Sequence, residues 1–565
     1  MTSTALDPIT IDITRYKLDG IANEMQSTLL RSSFSPIVKE GLDASASLFA
    51  LDGTTLAQSC SIPIHLATLI PAVAKIVAIF PIARMRDGDS YILNDPYCGG
   101  THLPDIAVVQ PVMHRGRPIA LAAAMTHHQD VGGMSAGSVP TNATEIYQEG
   151  LRIPPLKLRE AGVYNETLVA LLRQNVRIPD TVMGDLNAQI AACTIGARRF
   201  AELAERFGDD QLAAICAELL ARSETLTRAA LARIPSGTYR CVDYLDNDGI
   251  ELDKPIRIEI AATVGNGAIE FDFAGTSAQV KGPLNSVPSG SLAAACWAVR
   301  ALTDPEIPTN GGCFRPISLK LPPGTIVNPQ APAPVNARTS TIKRIAGCMV
   351  GALAPVLPGK VPAASAGELH VLAFGGKTRG GTNYVVGELV AGGSGAGPGR
   401  DGVDVIETDA TNCMNLPAEA LEMEAPIRLR RVALRQGSGG VGEWRGGLGV
   451  VREYEVLDGD VSFSHRGERH FSAAAGLAGG GDGAMARSMI RRASGGEEVI
   501  PSKIAATLHP GDRVVVETAG GGGYGDPSRR AVGRIAADIA DGKVSARANR
   551  GTRRSRARRL ASAPG

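Results

Sequence analysis

The stretch IRIEIAATVGNGAIEFDF, residues 256–273, decides how the rest of the chain is read. Ile256, Ile258 and Ile260 alternate with Arg257 and Glu259, and Ile269, Phe271 and Phe273 alternate with Glu270 and Asp272. A period of two places one apolar face on a core. Gly265-Asn266-Gly267 supplies the residues that a tight hairpin turn demands, so the segment predicts two antiparallel strands. Upstream the period changes to that of a helix. Leu186, Ile190, Cys193, Ala197 and Phe200 mark one long helix, and Leu212, Ile215, Leu219 and Leu226 mark a second, ending near Pro235-Ser236-Gly237. Leu18, Ile21, Met25 and Leu29 share a face of an N-terminal helix. Between them, Ile106–Val109 and Ile119–Met125 read as buried strands. Downstream, Asp458-Gly459 marks a tight turn in a mostly β region, and the glycine-rich 391–402 reads as a mobile loop. The fold class expected is α+β and multidomain: mixed sheets with an inserted helical segment and a mostly β C-terminal part. The divisions expected are 1–180 (α/β, with a metal site), 181–236 (helical), 237–390 (α/β, with the hairpin), 391–530 (β-rich) and 531–565 (a basic tail).

Composition narrows the classes of function. The chain has 565 residues, with 58 basic against 57 acidic side chains, which argues against a general nucleic-acid binder. Aromatic residues make up only 4%, too few for base-stacking platforms. The seven arginines between Arg547 and Arg559, with no acid among them, read as a solvated, disordered tail. Nine cysteines without a C-x-x-C motif point to free thiols in a reducing compartment. The N-terminus carries no secretory pattern, and the longest apolar stretch, Ile62 to Ala83, is interrupted by His65, Lys75 and prolines. A membrane span needs about 20 mostly apolar residues. A cytoplasmic protein is expected.

The densest polar cluster is NDPYCGGTHLPD, residues 94–105, followed by MTHHQDVGG, residues 125–133. His102 and Asp105 are three apart, close enough to meet on one turn. His127 and His128 end an apolar strand and should face opposite sides, so only one can join them. Two imidazoles and a carboxylate suit Zn, Mn or Fe with positions left open for water or substrate. His102, Asp105 and His127 are taken as the ligands. His128 and Asp130 are taken as the catalytic candidates, acting either as general base or by orienting a ligand. Asp95 could orient a ligand or cap its loop. Glu149 reads as a solvated loop acid, and Lys39, Glu40 and Asp43 as a structural charged knot. No nucleotide site is apparent: in the nearest approach to a phosphate loop, Gly376-Lys377-Thr378, Val371 stands where the first glycine is needed. The glycines of 437–440, 446–447 and 520–523 read as tight turns or close backbone approach.

These motifs, with QEGLRIPP (148–155), GPLNSVPSG (282–290), GGCFRPISLKLPPGTIVNP (311–329), NLPAEALE (415–422), GSGGVGEWRGGLGV (437–450) and GGGGYGDP (520–527), resemble the hydantoinase B/oxoprolinase family over about residues 8–530. The resemblance implies one subunit of an ATP-dependent cyclic-amide hydrolase acting on a hydantoin, 5-oxoproline or a similar lactam. It also implies a hydantoinase A-type partner that binds the ATP, and a divalent metal, Zn or Mn, at His102, Asp105 and one of His127 and His128. Related subunits occur in acetone and acetophenone carboxylases, so a ketone carboxylase subunit is the second reading. A third is a scaffold that only assembles the partner.

Overall fold

The computed structural model describes residues 7–545, so the arginine-rich run 547–559 lies outside the described residues. Eleven α-helices and four sheets are present among them, an α+β architecture as the alternating periodicities predict.

The first sheet has seven strands, in the order Thr55–Gln58, Ala44–Phe49, Arg117–His127, Asp105–His114, Ser90–Leu93, Leu156–Glu160, Val163–Tyr164, with every pair antiparallel. Its central strands are almost wholly buried, because helices cover both faces. Leu18, Ile21, Met25 and Leu29 of the helix Pro8–Ser32 pack on one face together with the helix Pro179–Phe207. The helix Leu69–Ile79 covers the other face through Leu69, Val73 and Ile76. The helix Asp209–Leu231 follows; its Leu226 is exposed, whereas Leu212, Ile215 and Leu219 are buried.

The segment 256–273 forms the hairpin: Ile256–Gly265 pairs antiparallel with Ala268–Asp272, closing at Gly265 opposite Ala268. Asn266 and Gly267 both have positive φ, 51° and 66°, the backbone of a two-residue turn whose twist matches the strands. Gly237–Leu245 and Ile317–Lys320 flank the pair, the latter in parallel, and helices Pro288–Leu302 and Arg338–Ala352 pack on the sheet. At the C-terminal end, a four-stranded sheet (Asn383–Ala391, Leu369–Lys377, Val461–Arg466, Lys503–Leu508) shares one core with a five-stranded sheet (Ile427–Leu434, Val450–Val456, Arg513–Glu517, Arg487–Arg491, Glu497–Ile500). The turn at Asp458-Gly459, with Gly459 at φ 66°, carries the chain from one of these sheets to the other.

The glycine-rich 391–402 is an ordered knot rather than the mobile loop that its composition suggests. Gly393 donates to the Ala519 carbonyl, Gly447 to Ser394, Gly521 to Gly447, and Gly522 to Ala364. Four chain segments thus pack backbone against backbone at distances that leave no room for a Cβ. A Cβ on Gly521 would stand 1.9 Å from the Ser394 oxygen. Gly521→Ala should therefore cost about 3 kcal/mol by overpacking. Gly20→Ala, on an open helix face with nothing within 4 Å, should instead gain about 0.5–1 kcal/mol. Thermal melting of the two variants checks both signs.

Candidate active site

Three neighbouring strands of the first sheet present polar residues at one rim. Asp105 begins its strand directly opposite His127, the last residue of the next. On the far side of His127 lies Asp43, whose carbonyl accepts from the His127 amide at 3.1 Å, just before the strand Ala44–Phe49. Cross-strand partners in an antiparallel sheet share a face, so Asp105 and His127 point the same way. His128 consequently points to the other side. There its Nε2 lies 3.0 Å from Gln189 Oε1, while Gln189 donates to the carbonyls of Ile106 and Ala124 and so ties a helix to two strands.

The turn before Asp105 brings His102 back onto it. His102 Nε2 is 3.0 Å from Asp105 Oδ1, its ring is 5.1 Å from that of His127, and its Nδ1 is 3.1 Å from the Asn336 carbonyl. His65 closes the cluster, with Nε2 3.4 Å from Asp43 and 3.9 Å from Asp105. Arg338, the first residue of its helix, donates to Asp105 Oδ2, as does the Thr101 hydroxyl. His65, His102, His127, Asp43 and Arg338 line a cavity of about 60 Å³, room for a few waters, walled otherwise by residues such as Leu369, Val371 and Arg466 from the C-terminal part.

Burial dictates the protonation states. It pushes the His127 imidazole down to about 3 and that of His65 to about 4, so both are neutral bases. Burial also raises Asp43 to about 8, helped by the charge of Asp105. Burial would raise Asp105 as well, but His102 and Arg338 outweigh it and hold that carboxyl well below the usual range. His102 is lowered, first by burial and then by Arg338. A carbonyl can only accept, so His102 Nδ1 carries the proton toward Asn336. Its Nε2 faces a carboxylate oxygen, which also can only accept. Such a contact holds only with a proton or a cation between the two atoms. The Nδ1 atoms of His65 and His127 are buried without a hydrogen-bond partner. Among the described residues no group of three or more His, Cys, Asp or Glu side chains is arranged to hold a metal ion. The donor types present, neutral imidazoles and carboxylates, fit a borderline divalent cation in kind.

The remaining sequence candidates fall around this cluster. Asp130 is saturated, accepting from the amides of Gly132, Gly137 and Arg177 and from the Arg177 guanidinium, and so pins the loop that carries Gly137 and Val139 into the cavity wall. Asp95 caps its own loop through the Tyr97 amide and pairs with Arg152 at 2.9 Å. Two expectations are corrected. Glu149 is fully buried rather than solvated, and accepts from the Val335 and Asn336 amides at 3.0 and 2.8 Å, which positions the carbonyl behind His102. Asp43 turns into the cavity wall, while Lys39 and Glu40 remain exposed. Sequence reasoning missed His65, Asn336 and Arg338. A histidine interrupting the apolar stretch 62–83 was the one available signal.

The chain matches the model of the family described as Hydantoinase B/oxoprolinase over residues 7–527, and it belongs to that family. It is 33% identical to the caprolactamase subunit beta of Pseudomonas jessenii, covering 96% of this chain and 94% of that one. It is 32% identical to the 5-oxoprolinase of Dictyostelium discoideum, covering 93% of this chain but 41% of that longer protein. The crystal structure of the ATP-dependent caprolactamase from Pseudomonas jessenii superposes with a TM-score of 0.88, at 31% identity over 96% of this chain and 95% of that one. Nucleotide-free acetone carboxylase shares the fold, with a TM-score of 0.88 at 21% identity over 99% of this chain and 84% of that one. Among the described residues no helix is long and apolar enough to cross a membrane.

Glu149→Ala would leave two buried amides unpaired, at about 1–3 kcal/mol each. A fall in melting temperature of several degrees is expected, and an unchanged one would show that the Asn336 loop is held by other means.

Proposed function

We propose that this chain is the catalytic subunit of an ATP-dependent enzyme that opens a hydantoin, 5-oxoproline or a similar lactam, working with a hydantoinase A-type subunit that binds the ATP. The observation that carries this reading is the buried contact between His102 Nε2 and Asp105 Oδ1, flanked by neutral His65 and His127 and by Asp43. The names of the relatives support the reaction class. The word "subunit" in one name, and the 41% share of a longer chain in the other, support a partner. The nine unpaired cysteines suit a cytoplasmic setting.

The chemistry follows from a weak electrophile. An unstrained lactam carbonyl resists water; transfer of a phosphoryl group from ATP to its oxygen by the partner would let water add to the carbon, the ring C–N bond break as the nitrogen takes a proton, and the resulting acyl phosphate be hydrolysed to the ring-opened acid and inorganic phosphate. His102, Asp105 and His127, with Asp43 and His65 beside them, would hold a divalent cation, Zn or Mn. Its contribution when bound is Lewis acidity toward an oxygen of the substrate. The chain's own residues do the rest. Arg338 holds Asp105 ionised, and the Asn336 carbonyl fixes the His102 tautomer. His127 is neutral and so available as a ligand, and Leu369, Val371 and Leu389 give the cavity an apolar wall. Of the two roles open to His128 and Asp130, orientation suits their surroundings: His128 braces the strand end through Gln189, and Asp130 the loop below.

In the co-purified two-subunit complex, mass-spectrometric metal analysis should find about one divalent cation per chain. His102→Ala and Asp105→Asn should lose it, and turnover should fall by about 10²–10³-fold, the scale of removing an electrostatic stabiliser. Folded, metal-free variants with full activity would leave only the scaffold reading.

A ketone carboxylase subunit is the second reading, favoured by the shared fold of acetone carboxylase. ATP turnover in the complex should be independent of bicarbonate for the hydrolase and strictly dependent on it for the carboxylase.

A further inference from the structure

A second, larger cavity lies on the other side of one wall of this site. It measures about 580 Å³, within the range of small-molecule sites. The wall is shared residue by residue: Ile406, Thr408 and Asp409 face the large cavity, and Glu407 and Thr411 face the His/Asp chamber. Buried Lys343 pins it, donating to the Thr408 carbonyl and the Thr411 hydroxyl, with Glu407 3.6 Å away. Val405, Asp409 and Ala410 take positive φ values of 47°, 61° and 72°, a backbone that side-chain-bearing residues adopt only when the surroundings impose it.

The lining of the large cavity is cationic, with five basic side chains against three acidic ones. Two of the basic residues, Arg344 and Arg469, are themselves buried, at 2% and 3% exposure. Both converge on Asp243: Arg344 Nη1 donates to its carboxylate at 2.9 Å, and Arg469 Nη2 at 3.0 Å. Glu468 is the next acid to act on Arg344, and it is already paired with Lys503 at 2.7 Å. The Nε and Nη2 atoms of Arg344 are buried with no hydrogen-bond partner at all. An unpaired guanidinium edge is costly to bury and geometrically suited to an oxyanion.

We propose that this cavity is a binding site for a small molecule bearing a carboxylate or phosphoryl oxyanion, received by Arg344 and seated one wall away from the His/Asp chamber. The inference rests on the cavity itself and stands whichever reaction the chamber performs. The walls carry a reporter. The chain has two tryptophans, Trp297 and Trp444, and Trp297 lines the cavity. In full-length Trp444→Phe protein, Trp297 fluorescence is titrated with inorganic phosphate and, separately, with propionate, at ionic strength matched with chloride. A saturable change with either anion is expected, and the anion that saturates at lower concentration identifies the oxyanion class. Arg344→Gln should raise the half-saturating concentration at least about tenfold, as loss of a charge-assisted pair predicts. If that variant does not fold, Arg344→Lys keeps a cation beside Asp243 while removing the unpaired edge, and the same tenfold weakening is required of it. No saturable response to either anion, or a response unchanged in a folded Arg344 variant, overturns the proposal.

Discussion

Everything at the candidate site depends on one electrostatic problem: two carboxylates, Asp43 and Asp105, are carried to the same buried sheet rim. Two like charges at such a place cannot both stay ionised without compensation. The chain meets this need unequally. Asp105 receives Arg338 and the Thr101 hydroxyl and is held ionised, whereas Asp43 has only a neutral imidazole at 3.4 Å and is pushed up. Asp43 is therefore a buried acid without a paired cation at the point where His65, His102 and His127 also turn their rings. A divalent cation bound there would favour its ionised form, which links the charge balance to the chemistry proposed.

Strand register is what delivers the problem so sharply. Asp43, His127 and Asp105 lie on consecutive strands and at the same level. A slip of one residue would turn His127 outward and bring His128 in, because side chains alternate faces. Gln189 opposes that slip, since it bonds the carbonyls of two strands and faces His128 from behind. The helix that begins at Arg338 belongs to the next sheet, and Arg466 to the third, so the chamber exists only where three layers meet.

The glycine knot supports that meeting. Backbone-to-backbone packing of segments near 394, 447, 475 and 521 joins the C-terminal sheets without side chains between them. Such contacts leave little freedom, so the residues that the knot holds on either side, from Ala363 to Ala366 and from Val403 onward, can form fixed cavity walls. The absence of side chains that made 391–402 look loose in composition is what lets the segments approach so closely.

The amino-acid order by itself determined the elements. The 3.6-residue period of Leu18, Ile21, Met25 and Leu29 and the two-residue period of 256–273 are local patterns, and local backbone geometry reads them directly. It also determined that His102 meets Asp105, three positions apart, and that only one of His127 and His128 can join them, because alternation along a strand is a covalent fact. The tertiary structure alone decided which histidine that is, that His65 and Asp43 complete the rim, that Glu149 is buried, and that Arg338 compensates Asp105 across 233 positions. Those outcomes depend on register and on the packing of separate layers. Charge and burial at a point in space are set by neighbours that no local spacing in the chain records.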